Sequence, residues 1–170
     1  TPGQTYYIQI SGGNINDQGV FDLTLQNNNS CDDCLLSSNM VVTPLPINGT
    51  YQPGTTVTFC FTITEWSQEN SNWFHGVVPM MGNGWTNITP SSSPNTCDGG
   101  TGVWDWFNGV GTPNGNANGF FFDGDIFNNP NGDPSNNYGD NCDGNVSWEF
   151  CWEATTNSCP PGQTGDDLSV

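Results

Sequence analysis

The sequence contains no lysine and no arginine, and it has one histidine against 17 aspartates and glutamates. Nucleic-acid binding depends on cationic side chains that displace counter-ions from phosphates, and anionic membrane surfaces attract the same side chains. A formal net charge of −17 therefore excludes nucleic acid as a partner and argues against docking on such a membrane. Two origins fit this composition: a protein exposed outside the cell without trypsin-type cleavage sites, or an acidic proteome in a saline habitat.

Long apolar runs are missing as well. No stretch has the length of a transmembrane helix, so we expect no membrane insertion, and no signal peptide is recognisable. We therefore expect either a mature chain or a piece of a longer one. Only 33% of the residues are hydrophobic, while glycine and proline number 22 and 12. Because both residues favour turns and disfavour helix interiors, the composition predicts short strands joined by long loops.

Alternation of apolar and polar residues marks the strands. Thr55 to Thr64 places Val57, Phe59, Phe61 and Ile63 on one face, as a period of two requires. The segment from Val146 to Trp152 repeats the pattern. Shorter candidates are residues 40–42, 73–78, 103–107 and 120–122. Together these segments predict an all-β fold, an antiparallel β-sandwich with long Gly/Asn/Pro loops.

The chain divides into four parts. Residues 1–26 predict an N-terminal β-hairpin, because residues 6–10 and 20–25 alternate around a glycine-containing turn. An isolated two-stranded hairpin is marginal in water, so we expect it to pack on a neighbouring subunit or domain. Residues 27–30 form a polar linker, residues 31–159 the β-sandwich domain, and residues 160–170 a tail or the start of a further strand.

An ordered set of motifs resembles a module of large secreted surface proteins of Bacteroidota, the adhesin-like proteins associated with gliding motility and type IX secretion. The set covers residues 31–155 and includes Cys31-x-x-Cys34, Asn48-Gly-Thr-Tyr51-x-Pro-Gly, Asn72-Trp-Phe-His-Gly76 and Trp148-Glu-Phe-Cys-Trp152. Residues 1–25 are similar to the closing hairpin of prepeptidase-C-terminal-like β-sandwich modules. The resemblance implies secretion, surface attachment and a tandem arrangement with other β-domains. It implies no catalytic residues.

Seven cysteines without clustered histidines indicate disulfides and an oxidising, extracellular compartment. The strands around Cys60 and Cys151 each carry their cysteine on the face away from the large apolar residues, and we expect these two to pair, and Cys97 to pair with Cys142. Cys31 and Cys34 are read as structural disulfide cysteines, in one bridge or in two. A redox pair and a zinc site are less favoured interpretations of Cys31 and Cys34. Cys159 is the candidate for the odd thiol.

Five aspartates crowd the loop-rich segment from Phe120 to Asn145, and oxygen ligands on flexible loops are what calcium requires. The same residues also cap turns, and their spacing matches no established calcium motif. Calcium is therefore the one candidate cofactor, and Asp123, Asp125 and Asp133 are preferred as ligands. The full candidate set is Asp123, Asp125, Asp133, Asp140 and Asp143.

Catalysis finds little support in the sequence. His75 has no nucleophile-elbow serine to activate, and a packed, hydrogen-bonded histidine is the preferred interpretation. No pair of glutamates is positioned for glycoside hydrolysis. The chain is predicted not to be an enzyme.

Aromatic residues and glycosylation signals leave further options open. Trp104 and Trp106 lie near predicted loops, so binding of surface glycans is an alternative function, as in a carbohydrate-binding module of a secreted hydrolase. Trp residues in loop-rich folds also cap cores. Asn-x-Ser/Thr signals occur at Asn28, Asn48, Asn87 and Asn145. The leading hypothesis is an extracellular structural or adhesive module that associates with itself or with neighbouring β-domains.

Overall fold

The computed structural model describes residues 34–68, 73–97, 102–124, 134, 139–157 and 168–170. These residues form seven β-strands and no α-helix, and so no helix that could cross a membrane occurs among them. The strands are β1 (Leu35–Thr43), β2 (Thr56–Trp66), β3 (Gly76–Val77), β4 (Trp85–Ser92), β5 (Val103–Thr112), β6 (Gly115–Asp123) and β7 (Gly144–Thr156).

Two antiparallel sheets make up the fold. The first has the strand order β1-β2-β7-β4 and the second the order β3-β6-β5. β2 and β7 are the central strands of the larger sheet, and their register places Cys60 directly opposite Cys151. The predicted antiparallel β-sandwich is therefore confirmed for the described residues.

The core lies between the sheets and is built mainly from aromatic rings. Trp148, Phe150 and Trp152 of β7 face it together with Phe59 of β2. Trp104 of β5 packs edge-on against Phe150, with 5.0 Å between the ring centroids. Aromatic pairs in such geometry contribute about 1 kcal/mol each beyond the area they bury. The large rings thus compensate for the low apolar content.

The strand predictions differ from the structure in two places. β4 was not predicted, because its sequence is polar and includes Pro90, and its pairing with β7 is interrupted near Asn87, where φ is +52°. The predicted strand at residues 73–78 is reduced to β3, the two residues Gly76–Val77.

The predicted hairpin and linker, residues 1–30, lie outside the described residues. Of the predicted tail, only residues 168–170 are described, and they are not in a strand. The carbonyl of Ser169 accepts a hydrogen bond from the amide of Gly82 at 2.8 Å. This end of the chain therefore touches the body of the domain.

Candidate functional site

Asp140 is a buried carboxylate that accepts hydrogen bonds from three N–H groups. It is fully buried (0% exposed). The indole Nε1–H groups of Trp104 and Trp148 donate to its Oδ2 at 2.9 and 3.0 Å, and the amide of Cys97 donates to both oxygens, at 3.0 and 3.3 Å. A buried charge needs such partners, and a chain without Lys or Arg supplies them from neutral N–H groups. Asp140 thus joins both sheets and the Cys97 loop.

Gly139 holds this aspartate in place. Its φ of +100° lies in the region that favours glycine, and a Cβ there would approach the carbonyl oxygen of Phe74 to 2.5 Å. The same stretch pairs with Phe74 through two backbone hydrogen bonds to Asp140. The backbone therefore has to pass close to Phe74 for the carboxylate to reach the two indoles.

Of the other four predicted calcium ligands, the structure describes two, Asp123 and Asp143. Asp123 is buried at the end of β6, whereas Asp143 is exposed and accepts a hydrogen bond from the amide of Gln68 at 2.8 Å. Asp125 and Asp133 lie outside the described residues. Among the residues that the structure does describe, no three His, Cys, Asp or Glu side chains are grouped so that they could hold a metal ion. Calcium binding stays a prediction.

His75 is packed and hydrogen-bonded. Its Nε2–H donates to the carbonyl oxygen of Pro134, and its ring lies edge-on to Phe121 with 5.9 Å between centroids. This is the arrangement that the sequence favoured for the single histidine.

The two tryptophans considered for sugar binding occupy different environments. Trp104 is 1% exposed, so its ring faces the core and offers no surface for a sugar, contrary to its expected place near loops. Trp106 is half-buried against Phe120, and its Nε1–H donates to Asn108 at 3.3 Å. Alternation with a period of two indicates which residues share a face of a strand, but it does not indicate which of the two faces a second sheet will cover.

Both expected disulfides are present, Cys60–Cys151 and Cys97–Cys142. Cys34 is a free thiol. Cys31, predicted to share one bridge with Cys34 or to belong to a second one, lies outside the described residues, as does Cys159, so the roles of Cys31 and Cys159 stay predictions.

Three of the four glycosylation signals fall on described residues. Asn48, Asn87 and Asn145 are exposed, and Asn28 lies outside the described part. Asn48 and Gly49 both have positive φ, at +52° and +75°, which is the geometry of a two-residue hairpin turn. These positions are accessible to a glycan.

The β1 edge segment, residues 35–47, carries a concentration of exposed apolar side chains. Half of the exposed large hydrophobic residues of the described chain lie in it, with exposures from 38% for Leu35 to 76% for Ile47. They are Leu35, Leu36, Met40, Val41, Leu45 and Ile47. Exposed apolar side chains concentrated in one segment are typical of interaction sites.

The same segment is free of charge. No acidic residue occurs between Asp33 and Glu65, although the chain as a whole carries 17. Edge strands are ordinarily protected from pairing by charged residues, prolines or bulges. From Ser38 to Thr43, β1 has none of these and pairs with β2 in continuous register.

The register also shows which backbone groups of β1 face outward. Cys60 and Cys151 have Cα atoms 4.1 Å apart, which is typical of a non-hydrogen-bonded antiparallel pair. Cys60 therefore directs its N–H and C=O toward Val41, its partner on β1. Because alternate residues point to opposite neighbours, Met40 and Val42 direct theirs away from β2, toward the open edge.

The other sheet edges are better protected. β4 contains Pro90 and two irregularities in its pairing with β7. β5 carries the exposed Asp105 and a register shift between Phe107 and Val110, and β3 spans only two residues. Of the described edge strands, β1 is the one with an uncharged, proline-free stretch in continuous register, Ser38–Thr43, although its start at residues 35–38 is irregular. The sequence predicted a strand at residues 40–42 but not its edge position.

Comparison with known proteins does not assign this chain to a family. No family model matches the chain, and no curated protein or solved structure matches it.

Proposed function

We propose that this chain is an extracellular structural or adhesive module, a subunit or repeat of a cell-surface fibre or giant adhesin, and that its copies or neighbouring β-domains associate through the edge of β1. The observation that carries the proposal is the β1 edge segment. It is uncharged and rich in exposed apolar side chains, and from Ser38 to Thr43 its pairing with β2 is regular, in a molecule whose net charge otherwise opposes self-association. The two disulfides are compatible with an extracellular protein.

The side of β1 that faces the core supports this proposal. Residues opposite each other in an antiparallel pair lie on the same face, so Met40, opposite Phe61, and Leu35, opposite Trp66, both point to the core side of the sheet. They are nevertheless 42% and 38% exposed. No described residue fully covers the core side of the sheet at this edge, and an added element would bury it.

Approximate free energies indicate how much an added strand has to contribute to binding. Ser38, Met40 and Val42 each offer one N–H and one C=O, and about six hydrogen bonds at roughly 1 kcal/mol each give about 6 kcal/mol. Association costs about 4–15 kcal/mol in lost freedom. Hydrogen bonds alone are therefore marginal, and burial of Met40 and Leu35 has to contribute as well.

The sugar-binding alternative is less well supported. With Trp104 in the core, Trp106 is the remaining residue of the predicted pair, and it is half-buried. A glycan-array signal that is lost in Trp106→Ala would support this second function.

Sedimentation and electron microscopy of the full chain test the proposal. We expect oligomers or filaments that grow with protein concentration and are lost in Met40→Asp, because the substitution puts a charge at the proposed contact. Ile88→Asp is the matched control, since Ile88 is exposed on β4 at the opposite edge of the same sheet. A monomer at every concentration, or equal loss in both variants, would contradict the proposal.

A further inference from the structure

A segment that binds at the β1 edge needs three properties. It must be a strand, because Met40 and Val42 present backbone groups to the open edge. It must have one apolar face to cover Met40 and Leu35, and it must bring little charge, since the molecule already carries −17. One segment outside the described residues has the sequence pattern of such a strand. In Val20 to Leu25, the period-two pattern places Phe21, Leu23 and Leu25 on one face.

We propose that residues 20–25 of one copy add to the β1 edge of a neighbouring copy as an antiparallel strand. The inference rests on the proposed function and specifies the partner of the same surface. Phe21, Leu23 and Leu25 would cover the exposed core side of β1, and the single carboxylate, Asp22, would lie on the opposite, outward face. Each copy then donates one strand and accepts one.

The connection between the two segments favours donation to a neighbour. Hairpin loops are commonly about two to five residues long, and residues 26–34 form a longer link that contains neither glycine nor proline. Fully extended, this link spans about 30 Å, which is enough to place the donated strand on an adjacent molecule. Head-to-tail contacts of this kind generate open filaments when they do not close into a ring.

Crosslinking in mixed isotopes tests the inference on the full chain. Copies labelled with nitrogen-15 and unlabelled copies, both with the photoreactive analogue p-benzoylphenylalanine in place of Phe21, are mixed, assembled and irradiated. The crosslinked chains are digested with chymotrypsin, because trypsin has no Lys or Arg to cleave after. We expect crosslinks from position 21 to the β1 peptide around Met40, with mixed-isotope products as frequent as same-isotope products.

Two charge variants supply the matched control. Leu23→Asp puts a carboxylate on the apolar face of the donated strand and should abolish assembly. Thr24→Asp adds the same charge on the other face of the strand and should leave most of the assembly intact.

The outcomes separate this inference from the proposed function. If assembly depends on Met40 but position 21 crosslinks only within one copy, or elsewhere than on β1, strand donation is wrong and association through β1 stands. If the full chain remains monomeric at all concentrations, both fail. Equal effects of Leu23→Asp and Thr24→Asp would also overturn the donated-strand geometry.

Discussion

At the scale of single residues, Asp140 determines how the two sheets meet. It accepts hydrogen bonds from indoles of β5 and β7 and from the loop that carries Cys97. The sequence placed Asp140 among the candidate calcium ligands because of its Asp/Asn/Gly surroundings. In the structure both of its oxygens accept hydrogen bonds from N–H groups, and local composition does not predict donors that come from distant strands.

Replacement of Asp140 should therefore be costly. Asp140→Ala leaves two buried indole N–H donors and the part-buried amide of Cys97 without their acceptor, and each buried unsatisfied group costs about 1–3 kcal/mol. We expect a loss of about 3–5 kcal/mol in the free energy of unfolding, measured by urea denaturation. Asp143→Ala, which removes an exposed carboxylate with one bond to Gln68, should cost less than about 1 kcal/mol. Similar losses in both variants would contradict the structural role of Asp140.

Tyr51 is expected to make stability depend on alkaline pH. Burial raises the pKa of its phenol above the ordinary value of 10.0. The folded chain then holds the phenol proton more tightly than the unfolded chain. This contribution is fully present below pH 10 and is lost as the pH rises through the folded-state pKa.

Tyr51→Phe checks this dependence. The variant should lose roughly 1 kcal/mol or less at neutral pH, because the phenol donates to the Pro44 carbonyl at 2.9 Å. Its stability should fall less steeply than that of the parent chain above pH 10. The free energy of unfolding is measured by denaturation of both chains between neutral pH and pH 11. If Tyr51 had no such role, it would change with pH in the same way in the variant and in the parent chain.

At the scale of elements, β2 and β7 form the centre of the molecule. Their alternating patterns were visible in the sequence, and so was the placement of Cys60 and Cys151 on the same outer face. The register confirms this pairing. β4 was missed because Asn87 and Pro90 interrupt its pattern, and strand pairing with β7 outweighs its weak local preference.

The Cys60–Cys151 bridge joins residues 91 positions apart. The loop-entropy relation gives a contribution of about 4–5 kcal/mol for a loop of this length. Replacement of both cysteines, Cys60→Ala with Cys151→Ala, should lower the free energy of unfolding by up to that amount. Because β2 and β7 remain paired, circular dichroism should still report a β-sheet spectrum below the transition. An unchanged denaturation midpoint would contradict this expectation.

At the scale of the whole molecule, the net charge of −17 opposes any contact between copies. Along Ser38–Thr43 of β1 this opposition is weak, since Glu65, the one acidic residue of β2, lies opposite Ser37, and the acidic residues of β7 are two strands away, about 10 Å. This distance is close to the Debye length at 0.1 M salt. Screening should therefore promote association.

We accordingly expect self-association to strengthen as sodium chloride is raised from low to physiological concentration and above. Sedimentation velocity at several salt concentrations measures this directly. Met40→Asp should remain monomeric at all of them. Association that weakens with salt would indicate attraction between opposite charges, which a chain without Lys or Arg does not offer.

The sequence by itself determined the all-β fold class and the faces of the two central strands, including the face that Cys60 and Cys151 share. Each of these follows from composition or from a period of two along one segment. Only the tertiary structure decided that β1 is an open edge, that Trp104 is in the core and that Asp140 is buried between two indoles. Alternation specifies the two faces of a strand, whereas its neighbours and the cover on each face depend on strand order and on the opposing sheet.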